Sequence, residues 1–532
     1  MSTLSLSAGD SLVLWVPERG CLAPGAPLSD LRQALNDVGF ACDTRLDPSL
    51  PSDSAFLALG LPPTSSEKAS KPPVADGFEL DWSAAGVRLV GGGPRGLSFA
   101  VWEFLERLGW AWPTPQIERE PEAREWTFPI RIEKHAPALK HRVFFAEQVE
   151  ITPALIRWLS RLRLNTLFPS NPARFEDPES QFPPESLAMA ETLGFDLIAG
   201  GDSARWLLGP LGDESLTWDT LPKRKTKRAL EAILELWREM GEPSPRLSIW
   251  AEDSEIEPVA RILAGALEAV PELLVETGVN VSIPEPCAGR TLFHLSDRGL
   301  SPLAEREDDE ARLLEGLKGI SGREVYLLLD PLGWDVSLGN PISPALWRVL
   351  VRRIALAGQV GCAGAGLSLA RVDARSFLER AGFAYSLAAR AMWSGEAEVS
   401  EPEARRILEA QFDSGAEAAA TLLADLERWL RRDCPRGVRG FAEAHSALLS
   451  EGVRDKLDQR ISEIQESAPN EACMELARSL STLVGLYDLE ECPDVHESRA
   501  LARTLWSGAR IDSWPAWLQA KSPLAERLRG RL

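Results

Sequence analysis

The chain has 532 residues, and its 79 acidic against 58 basic side chains give a formal net charge of −21 at pH 7. This length predicts roughly two to four domains, and 44% apolar with 26% charged residues is typical of a soluble globular protein. The acidic balance opposes a nucleic-acid or anionic-membrane partner, because phosphates require a basic surface.

Cysteines, histidines and the N-terminal sequence bear on redox state, metals and localisation. The seven cysteines show no CxxC spacing, which predicts reduced thiols instead of a disulfide framework or zinc knuckle. The five histidines form no HExxH pattern, so we expect neither a metal site nor a cofactor. No signal-like segment begins the chain, which predicts a cytoplasmic product, or a secreted one if a signal was removed. Both a monomer and a homo-oligomer are compatible with the sequence.

Residues 1–138 alternate short strands and helices. Predicted strands are 11–16, 55–59, 77–82 and one from Val87, and predicted helices are 28–38 and 97–108. A glycine-rich turn, Gly91–Gly96, joins the last strand to the last helix. Such a turn can hold a phosphate, but this one lacks the Lys-Ser/Thr of a P-loop. A tight connection is the favoured interpretation, and nucleotide binding is the less favoured one.

The segment from Phe78 to Pro115 carries a family resemblance. It is a hairpin followed by Gly-Leu-Ser-Phe-Ala-Val-Trp-Glu-Phe-Leu-Glu-Arg-Leu-Gly-Trp-Ala-Trp-Pro at 96–113. It resembles the small α/β domain that precedes the catalytic barrel in α-glucuronidases and β-hexosaminidases. It is still more similar to a bacterial family with the same layout, whose helix reads G-x-x-x-A-V-x-x-F-L-E-x-L-G. By this resemblance the domain supports a barrel and takes no part in the chemistry.

From Lys140 the pattern changes to strand–helix repeats. Predicted strands are 142–147, 165–168, 195–202, 246–251, 279–283, 291–294, 324–329 and 364–371. Predicted helices are 152–162, 187–193, 225–240, 256–270 and 347–357. Eight strands with helices between them, within about 235 residues, predict a closed (β/α)8 TIM-like barrel.

After Asp373 the pattern is helical, with predicted helices at 375–393 and 402–432. The run Ala-Ala-Arg-Ala-Met-Trp at 388–393 again resembles the bacterial family, which implies a helical C-terminal domain. The fold class is therefore α/β, in three parts. They are a small α/β domain (1–138), a (β/α)8 barrel that carries catalysis (139–373) and an α-helical domain (374–532).

The stretch from Arg246 to Glu255 is central to the functional hypothesis. Its apolar and polar residues alternate as in a strand, and it ends in Glu252, Asp253 and Glu255. In a β/α barrel, functional side chains lie at the C-terminal strand ends, where these carboxylates fall. Alternatively, Asp253-Ser-Glu255 caps the next helix, and the two interpretations are compatible.

Glycoside hydrolysis usually requires two carboxyl groups flanking the scissile bond. Carboxylates at the predicted strand ends are Glu147, Asp202, Glu252, Asp253, Glu285 and Asp330. Side-chain parity places Glu252 on the face of Ser248 and Trp250, and Asp330 on the face of Tyr326 and Leu328. The opposite faces are aliphatic and suit the helix layer.

We therefore predict Glu252 as general acid or acid/base, Asp253 as its neighbour or alternate, and Asp330 or Glu285 as the second carboxylate. Glu147 and Asp202 are predicted substrate-binding residues. The resemblance implies an acid after the fourth strand, which agrees. The order Glu252-Asp253 reverses the Asp-Glu pair of β-hexosaminidases, which opposes a substrate-assisted N-acetyl mechanism.

The remaining candidates would bind sugar. Trp206, Trp250 and Trp334 are predicted to stack on sugar rings, and Arg290, Arg371 and His294 to bind hydroxyl or carboxylate groups. A structural role for His294 is the alternative. Two arginines at a pocket favour a uronic or sulfated sugar through bidentate pairing. The predicted function is hydrolysis of an oligo- or polysaccharide-derived glycoside, and the alternative is a non-catalytic carbohydrate-binding or scaffold protein on the same fold.

Overall fold

The computed structural model describes most of the chain. The described residues are 3–16, 27–47, 49, 56–60, 74–122, 124–147, 151–170, 183–201, 227–228, 231, 246–251, 256–296, 306–318, 323–329, 343–370, 374–433, 453–467 and 470–491. They fall in two compact units, the first formed by Met1–Arg142, Ile151–Leu167 and Phe182–Leu197 and the second by Val143–Glu150, Phe168–Gln181 and Ile198–Leu532. The three-domain division stays a prediction.

The first unit contains two sheets. Its strands are β1 (Thr3–Ser7), β2 (Ser11–Val16), β3 (Ala41–Leu46), β4 (Phe56–Gly60), β5 (Phe78–Ser83), β6 (Gly86–Gly91), β7 (Glu125–Pro129) and β8 (Ile132–His135). Six of them form a sheet in the order β3-β2-β4-β6-β5-β8, and β1 pairs with β7. In β2, apolar residues alternate with less buried ones, so one face of the strand packs on the core.

The helices described in the first unit are α1 (Pro27–Asp37), α2 (Pro94–Leu108), α3 (Pro153–Arg161) and α4 (Pro184–Thr192). Helix α2 begins at a proline, whose missing N–H costs nothing in the first turn, and it ends at Gly109 with φ 103°. Helix α3 is capped by Thr152, whose hydroxyl accepts from the Leu155 amide at 3.2 Å. The predicted helices 28–38, 97–108 and 152–162 are thus confirmed to within a few residues.

A buried ionic cluster anchors the first unit. Asp76 Oδ1 accepts from Arg95 Nε at 2.7 Å, and Oδ2 accepts from Arg142 Nη2 at 2.6 Å and Asn165 Nδ2 at 2.8 Å. The Arg142 side chain is fully buried, and its Nε also donates to the Arg163 carbonyl at 2.7 Å. These bonds join segments distant in sequence and satisfy a buried charge.

Eight strands form a closed barrel, which confirms the predicted fold class. They are β9 (His141–Glu147), β10 (Thr166–Ser170), β11 (Asp196–Gly201), β12 (Arg246–Ile249), β13 (Val275–Gly278), β14 (Thr291–Ser296), β15 (Glu324–Leu329) and β16 (Gly364–Ala370). The order follows the sequence and β16 closes on β9. Adjacent strands from β11 to β16 are parallel, so their C-terminal ends share one face of the barrel.

The barrel wall separates two apolar layers. The interior cluster contains strand residues only: Val143, Phe145, Phe168, Ile198, Leu292, Tyr326 and Leu328, with Trp250 packed against it. The sequence neighbours of inward-facing strand residues point to the other side of the wall. They include Leu247, Ile249 and Val325, which pack in one cluster with helix α5 (Ile256–Ala269). The predicted facing of the fourth and seventh strands is therefore correct.

The fifth strand differs from the prediction. The predicted strand is 279–283, whereas the strand in the structure is Val275–Gly278. Val281 donates its amide to the Gly278 carbonyl in a turn, and Val281 and Ile283 are buried in the outer core. Their alternating apolar pattern thus comes from a packed connection and not from a strand. The predicted sixth strand is confirmed as β14.

Further helices surround and follow the barrel: α6 (Glu285–Ala288), α7 (Arg306–Gly316), α8 (Trp347–Gln359), α9 (Ala374–Ser394), α10 (Glu401–Phe412), α11 (Ala416–Asp433), α12 (Arg454–Ser467) and α13 (Glu471–Glu491). The predicted helix 402–432 is interrupted by a 3-10 turn at Asp413–Gly415, where Asp413 has φ 52°. The predicted helix 225–240 lies mostly outside the described residues. Within the described part of the chain, no helix has both the length and the apolar character to cross a membrane.

Candidate functional site

A buried carboxylate on β13, Glu276, is the centre of the polar groups inside the barrel. Its Oε1 is 2.5 Å from His294 Nδ1 and accepts from the Tyr326 hydroxyl at 3.1 Å. Its Oε2 accepts from Trp250 Nε1 at 2.6 Å and from the Ser248 hydroxyl. Four donors from β14, β15 and the end of β12 thus converge on one side chain.

These donors set the ionisation of Glu276. Burial alone would raise its pKa, but interaction with His294 and hydrogen bonds from His294, Ser248 and Trp250 leave the pKa below its usual value. Each oxygen accepts two hydrogen bonds, which occupies the usual lone-pair directions of a carboxylate. Glu276 is therefore suited to hold its neighbours in place and is poorly suited to act as nucleophile or proton donor.

An aromatic floor inside the barrel consists of Trp250, Phe145, Phe168 and His294. The Trp250 ring lies 4.9 Å from the ring of Phe145 and 5.6 Å from that of Phe168, both nearly parallel to it. The His294 ring centroid is 4.2 Å away. Because Trp250 follows the last residue of β12 and is only half-buried, its indole covers the interior cluster near the C-terminal end of that strand.

Tyr326 supports the floor from β15. Burial, followed by the charge of Glu276, raises the pKa of its phenol well above the usual value, so the hydroxyl keeps its proton and donates. Gly366 on β16 makes room for the ring, since a methyl group there would lie 3.2 Å from Tyr326 Cε2. The glycine-rich sequence of the last strand therefore has a packing cause.

His294 is oriented along the barrel wall. Its Nδ1 contacts Glu276, while a methyl group on Gly278, two residues later on β13, would lie 3.5 Å from its Nε2. Gly278 is the last residue of β13 and pairs with His294 in the register. Nε2 therefore lies on the side of the C-terminal strand ends, where barrel proteins bind their ligands.

Two predicted site residues, Glu285 and Arg290, lie at the end of the barrel where the N-termini of its strands are found. Glu285 begins α6 with its side chain 88% exposed, and it pairs with Arg323, which directly precedes β15. Arg290 directly precedes β14 and donates to the carbonyls of Leu267 and Val270, which precede β13. The structure thus places Glu285 and Arg290 at the N-terminal ends of neighbouring strands, away from the face on which the other candidates were predicted. The prediction for Glu285 followed from the misplaced fifth strand, which put a strand's C-terminal end near residue 283.

The other predicted site residues fall beyond what the structure describes. They are Glu252, Asp253, Asp330, Asp202, Trp206, Trp334 and Arg371, and the side chain of Glu147 is likewise outside the description. Their sequence positions relative to described strands are nevertheless defined. Asp330 directly follows β15, Asp202 directly follows β11, and Glu252 comes three residues after β12, the fourth barrel strand.

Glu276 is not among the residues predicted from the sequence. Parity predicts Ser248 and Tyr326 on the functional face, and Trp250 and His294 are predicted ligands, but their common acceptor lies in a segment with no predicted strand. The available signal was a carboxylate between β-branched residues in Val275-Glu-Thr-Gly278.

The glycine-rich turn is explained by packing. Gly91, Gly93 and Gly96 match the G-x-G-x-x-G spacing of dinucleotide-binding turns. However, a methyl group on Gly91 would lie 2.1 Å from the Leu97 amide nitrogen, and one on Gly96 would lie 2.5 Å from the Gly77 carbonyl oxygen. Arg95 in the same turn is bound to Asp76. These contacts support the tight-connection interpretation.

Comparison with known proteins gives fold likenesses only. No family model matches the chain, and no curated protein matches it. Among solved structures, a family 89 glycoside hydrolase from Clostridium perfringens in complex with PUGNAc covers 81% of this chain and 61% of its own, with 9% identity and a TM-score of 0.47. A Streptomyces plicatus N-acetyl-beta-hexosaminidase covers 80% and 93%, with 14% identity and a TM-score of 0.49. The chain spans about three fifths of the clostridial enzyme, and likenesses of this degree carry no argument about activity.

Proposed function

We propose that this chain is a glycoside hydrolase whose active site lies at the C-terminal face of the barrel formed by β9–β16. The observation that carries the proposal is the floor inside the barrel, where the Trp250 indole and the His294 imidazole are held by Glu276 near the C-terminal strand ends. An indole face suits the C–H face of a sugar, and an imidazole suits its hydroxyl groups.

Acidic residues come soon after β12 and β15 in the sequence, and these two strands contribute side chains to the floor or to its support. Glu252 and Asp253 come shortly after β12, and Asp330 directly follows β15. In a closed parallel barrel, residues in these positions belong to the loops of the catalytic face. We assign Glu252 as general acid or acid/base, with Asp253 as its alternate, and Asp330 as the second carboxylate. With Glu285 at the other end, Asp330 is the one second carboxylate retained.

The charge of the sugar is not part of the proposal. An anionic sugar was predicted from Arg290 and Arg371, and Arg290 is used by backbone carbonyls at the far end of the barrel. The alternative function, carbohydrate binding without hydrolysis, would use the same floor. It differs only in that the carboxylates would have no catalytic role.

The test is a screen of aryl glycosides followed by Glu252→Gln. The amide keeps the shape of the side chain but removes the transferable proton, which commonly lowers the rate on the order of 10²–10⁴-fold. Stability should change by less than about 1 kcal/mol, as for most surface substitutions. Asp253→Asn and Asp330→Asn are compared on the same glycoside, and Glu285→Gln is the matched control that should keep full activity.

Three outcomes would contradict the proposal or part of it. Saccharide binding with no hydrolysis of any glycoside would favour the non-catalytic alternative. Full activity in Glu252→Gln with loss in Asp253→Asn would move the acid role to Asp253. Full activity in all three site variants would remove the assigned carboxylates from the mechanism.

A further inference from the structure

We infer that Glu276 is a positioning residue that acts through His294: it keeps the imidazole proton on Nδ1 and leaves Nε2 of the neutral ring as a hydrogen-bond acceptor for a ligand hydroxyl. The identity of the ligand rests on the proposed function. The position of the proton does not, because it follows from contacts inside the barrel.

The groups around Glu276 must act as hydrogen-bond donors to its carboxylate. An indole N–H can only donate, and so Oε2 accepts from Trp250 at 2.6 Å. The Tyr326 phenol keeps its proton, and its hydroxyl reaches Oε1 at 3.1 Å. An ionised carboxylate has no hydrogen to give, so the 2.5 Å contact with His294 requires the proton on Nδ1.

The other ring nitrogen is then left for a ligand. Within the described residues, the His294 side chain makes one hydrogen bond, the one to Glu276. Nε2 lies beside Gly278 at the C-terminal end of β13. The exposed Asn280 side chain borders the same space, since its Oδ1 would lie 2.5 Å from a methyl group on Gly278. The rings of Trp250 and Tyr326, at centroid distances of 4.2 and 6.1 Å, restrict the orientation of the imidazole.

Replacing Glu276 by glutamine should reverse the tautomer. The amide oxygen must face Trp250, since that indole cannot accept, and this places the amide NH₂ toward His294. The NH₂ group donates, so Nδ1 must become the acceptor and the proton of the neutral ring moves to Nε2. A nearly isosteric change would thus turn the ligand-facing nitrogen from an acceptor into a donor.

The experiment is ¹⁵N NMR of the full chain labelled only in its histidine rings, with His294→Gln used to assign the signals. In the wild type we expect Nδ1 of His294 to carry a proton in both the neutral and the cationic ring. In Glu276→Gln we expect the neutral ring to carry its proton on Nε2. A wild-type neutral ring protonated on Nε2, or an unchanged tautomer in Glu276→Gln, would overturn the inference.

Two controls separate this effect from a general loss of packing. Ser248→Ala removes another donor to Glu276 and should leave the tautomer unchanged. Asp309→Asn alters a fully buried carboxylate that pairs with Arg352 and Arg353, and it should leave the His294 signals in place. If Glu276→Gln does not fold, the wild-type and Ser248→Ala spectra still decide the position of the proton.

Ligand binding gives a second readout. A ligand hydroxyl that donates to Nε2 in the wild type must turn and accept from the Nε2 hydrogen in Glu276→Gln, so it gives up the hydrogen bond that it donated. Binding of the glycoside found in the screen should therefore weaken by roughly 3- to 10-fold. Unchanged affinity despite a reversed tautomer would overturn the ligand part of the inference. A chain that hydrolyses no glycoside but shows the Nδ1 proton would refute the proposed function alone.

Discussion

Two buried carboxylates, Asp76 in the first unit and Glu276 in the barrel, each accept several hydrogen bonds but have different donors. Asp76 binds the guanidinium groups of Arg95 and Arg142 and the amide of Asn165. The donors to Glu276 in the described structure are two hydroxyls, an indole and an imidazole.

The donors determine what each network can do. Burial alone would raise the pKa of Asp76, but the charges of Arg142 and Arg95 lower it, and burial lowers the pKa of Arg142 to about 10 despite the attraction of Asp76. Arg142 also donates to the backbone carbonyls of Arg163 and Leu139, so these bonds tie the network to buried backbone. The Glu276 network ends in two rings near the barrel's C-terminal face. The first arrangement stabilises segments, and the second is the one that we propose orients two rings toward a ligand.

The largest expected effect is on stability, from Asp76→Ala. The change leaves Arg142 buried without its carboxylate, which typically costs about 3–5 kcal/mol in the free energy of unfolding. Asp43→Ala is the control, because the side chains of the Asp43–Arg45 pair are more than half exposed and the pair should contribute below about 1 kcal/mol. Both are measured by urea unfolding of the full chain, and equal losses would break the comparison.

A smaller effect is expected from Trp250→Phe. Phenylalanine keeps an aromatic ring in the floor but loses the hydrogen bond to an ionised acceptor, worth about 1.5–3 kcal/mol. A double-mutant cycle with Glu276→Leu, which removes the acceptor, isolates this term, and a parallel cycle of Trp250 with Asp309, which shares no described partner with it, should show coupling below about 0.5 kcal/mol. Coupling no larger with Glu276 than with Asp309 would mean that Trp250 is held by packing alone.

The contributions of Asp76 and Glu276 to the free energy of unfolding should depend on pH in the same direction. Each carboxylate has a folded-state pKa below its unfolded value, near 3.9 for Asp and 4.3 for Glu, so the unfolded state binds more protons as the pH falls. The stabilisation is present above the unfolded pKa and is lost as the pH falls through the folded pKa. The stability gap between wild type and Asp76→Asn or Glu276→Gln should therefore narrow below about pH 4. Urea unfolding across pH measures it, and a constant gap would contradict the assignment of either group as ionised.

The smallest effect is expected from Glu285→Gln. The side chain is 88% exposed and pairs with Arg323 at 3.4 Å, so stability should stay within about 0.5 kcal/mol of wild type. Hydrolysis of the screened glycoside should also be unchanged, because Glu285 lies at the opposite end of the barrel from the proposed site. A rate loss without a stability loss would return Glu285 to the catalytic set.

Local patterns predicted most barrel strands because each strand carries its own signal. Residues 324–329 alternate between the two barrel faces and are bounded by polar residues, and the predicted strand matches β15 in full. The fifth strand failed because Val275–Gly278 has only four residues with a carboxylate among them, while the packed connection at 279–283 has the stronger apolar alternation.

The sequence by itself determined the strand–helix repeat, the interior facing of Ser248, Trp250 and Tyr326, and hence the barrel class, since all three follow from local periodicity. Only the tertiary structure decided that these side chains meet at Glu276. Ser248 and Tyr326 are 28 and 50 residues from it, and pairing register sets which of them come together when the barrel closes. Register depends on the packing of the whole barrel and not on the periodicity of any one segment.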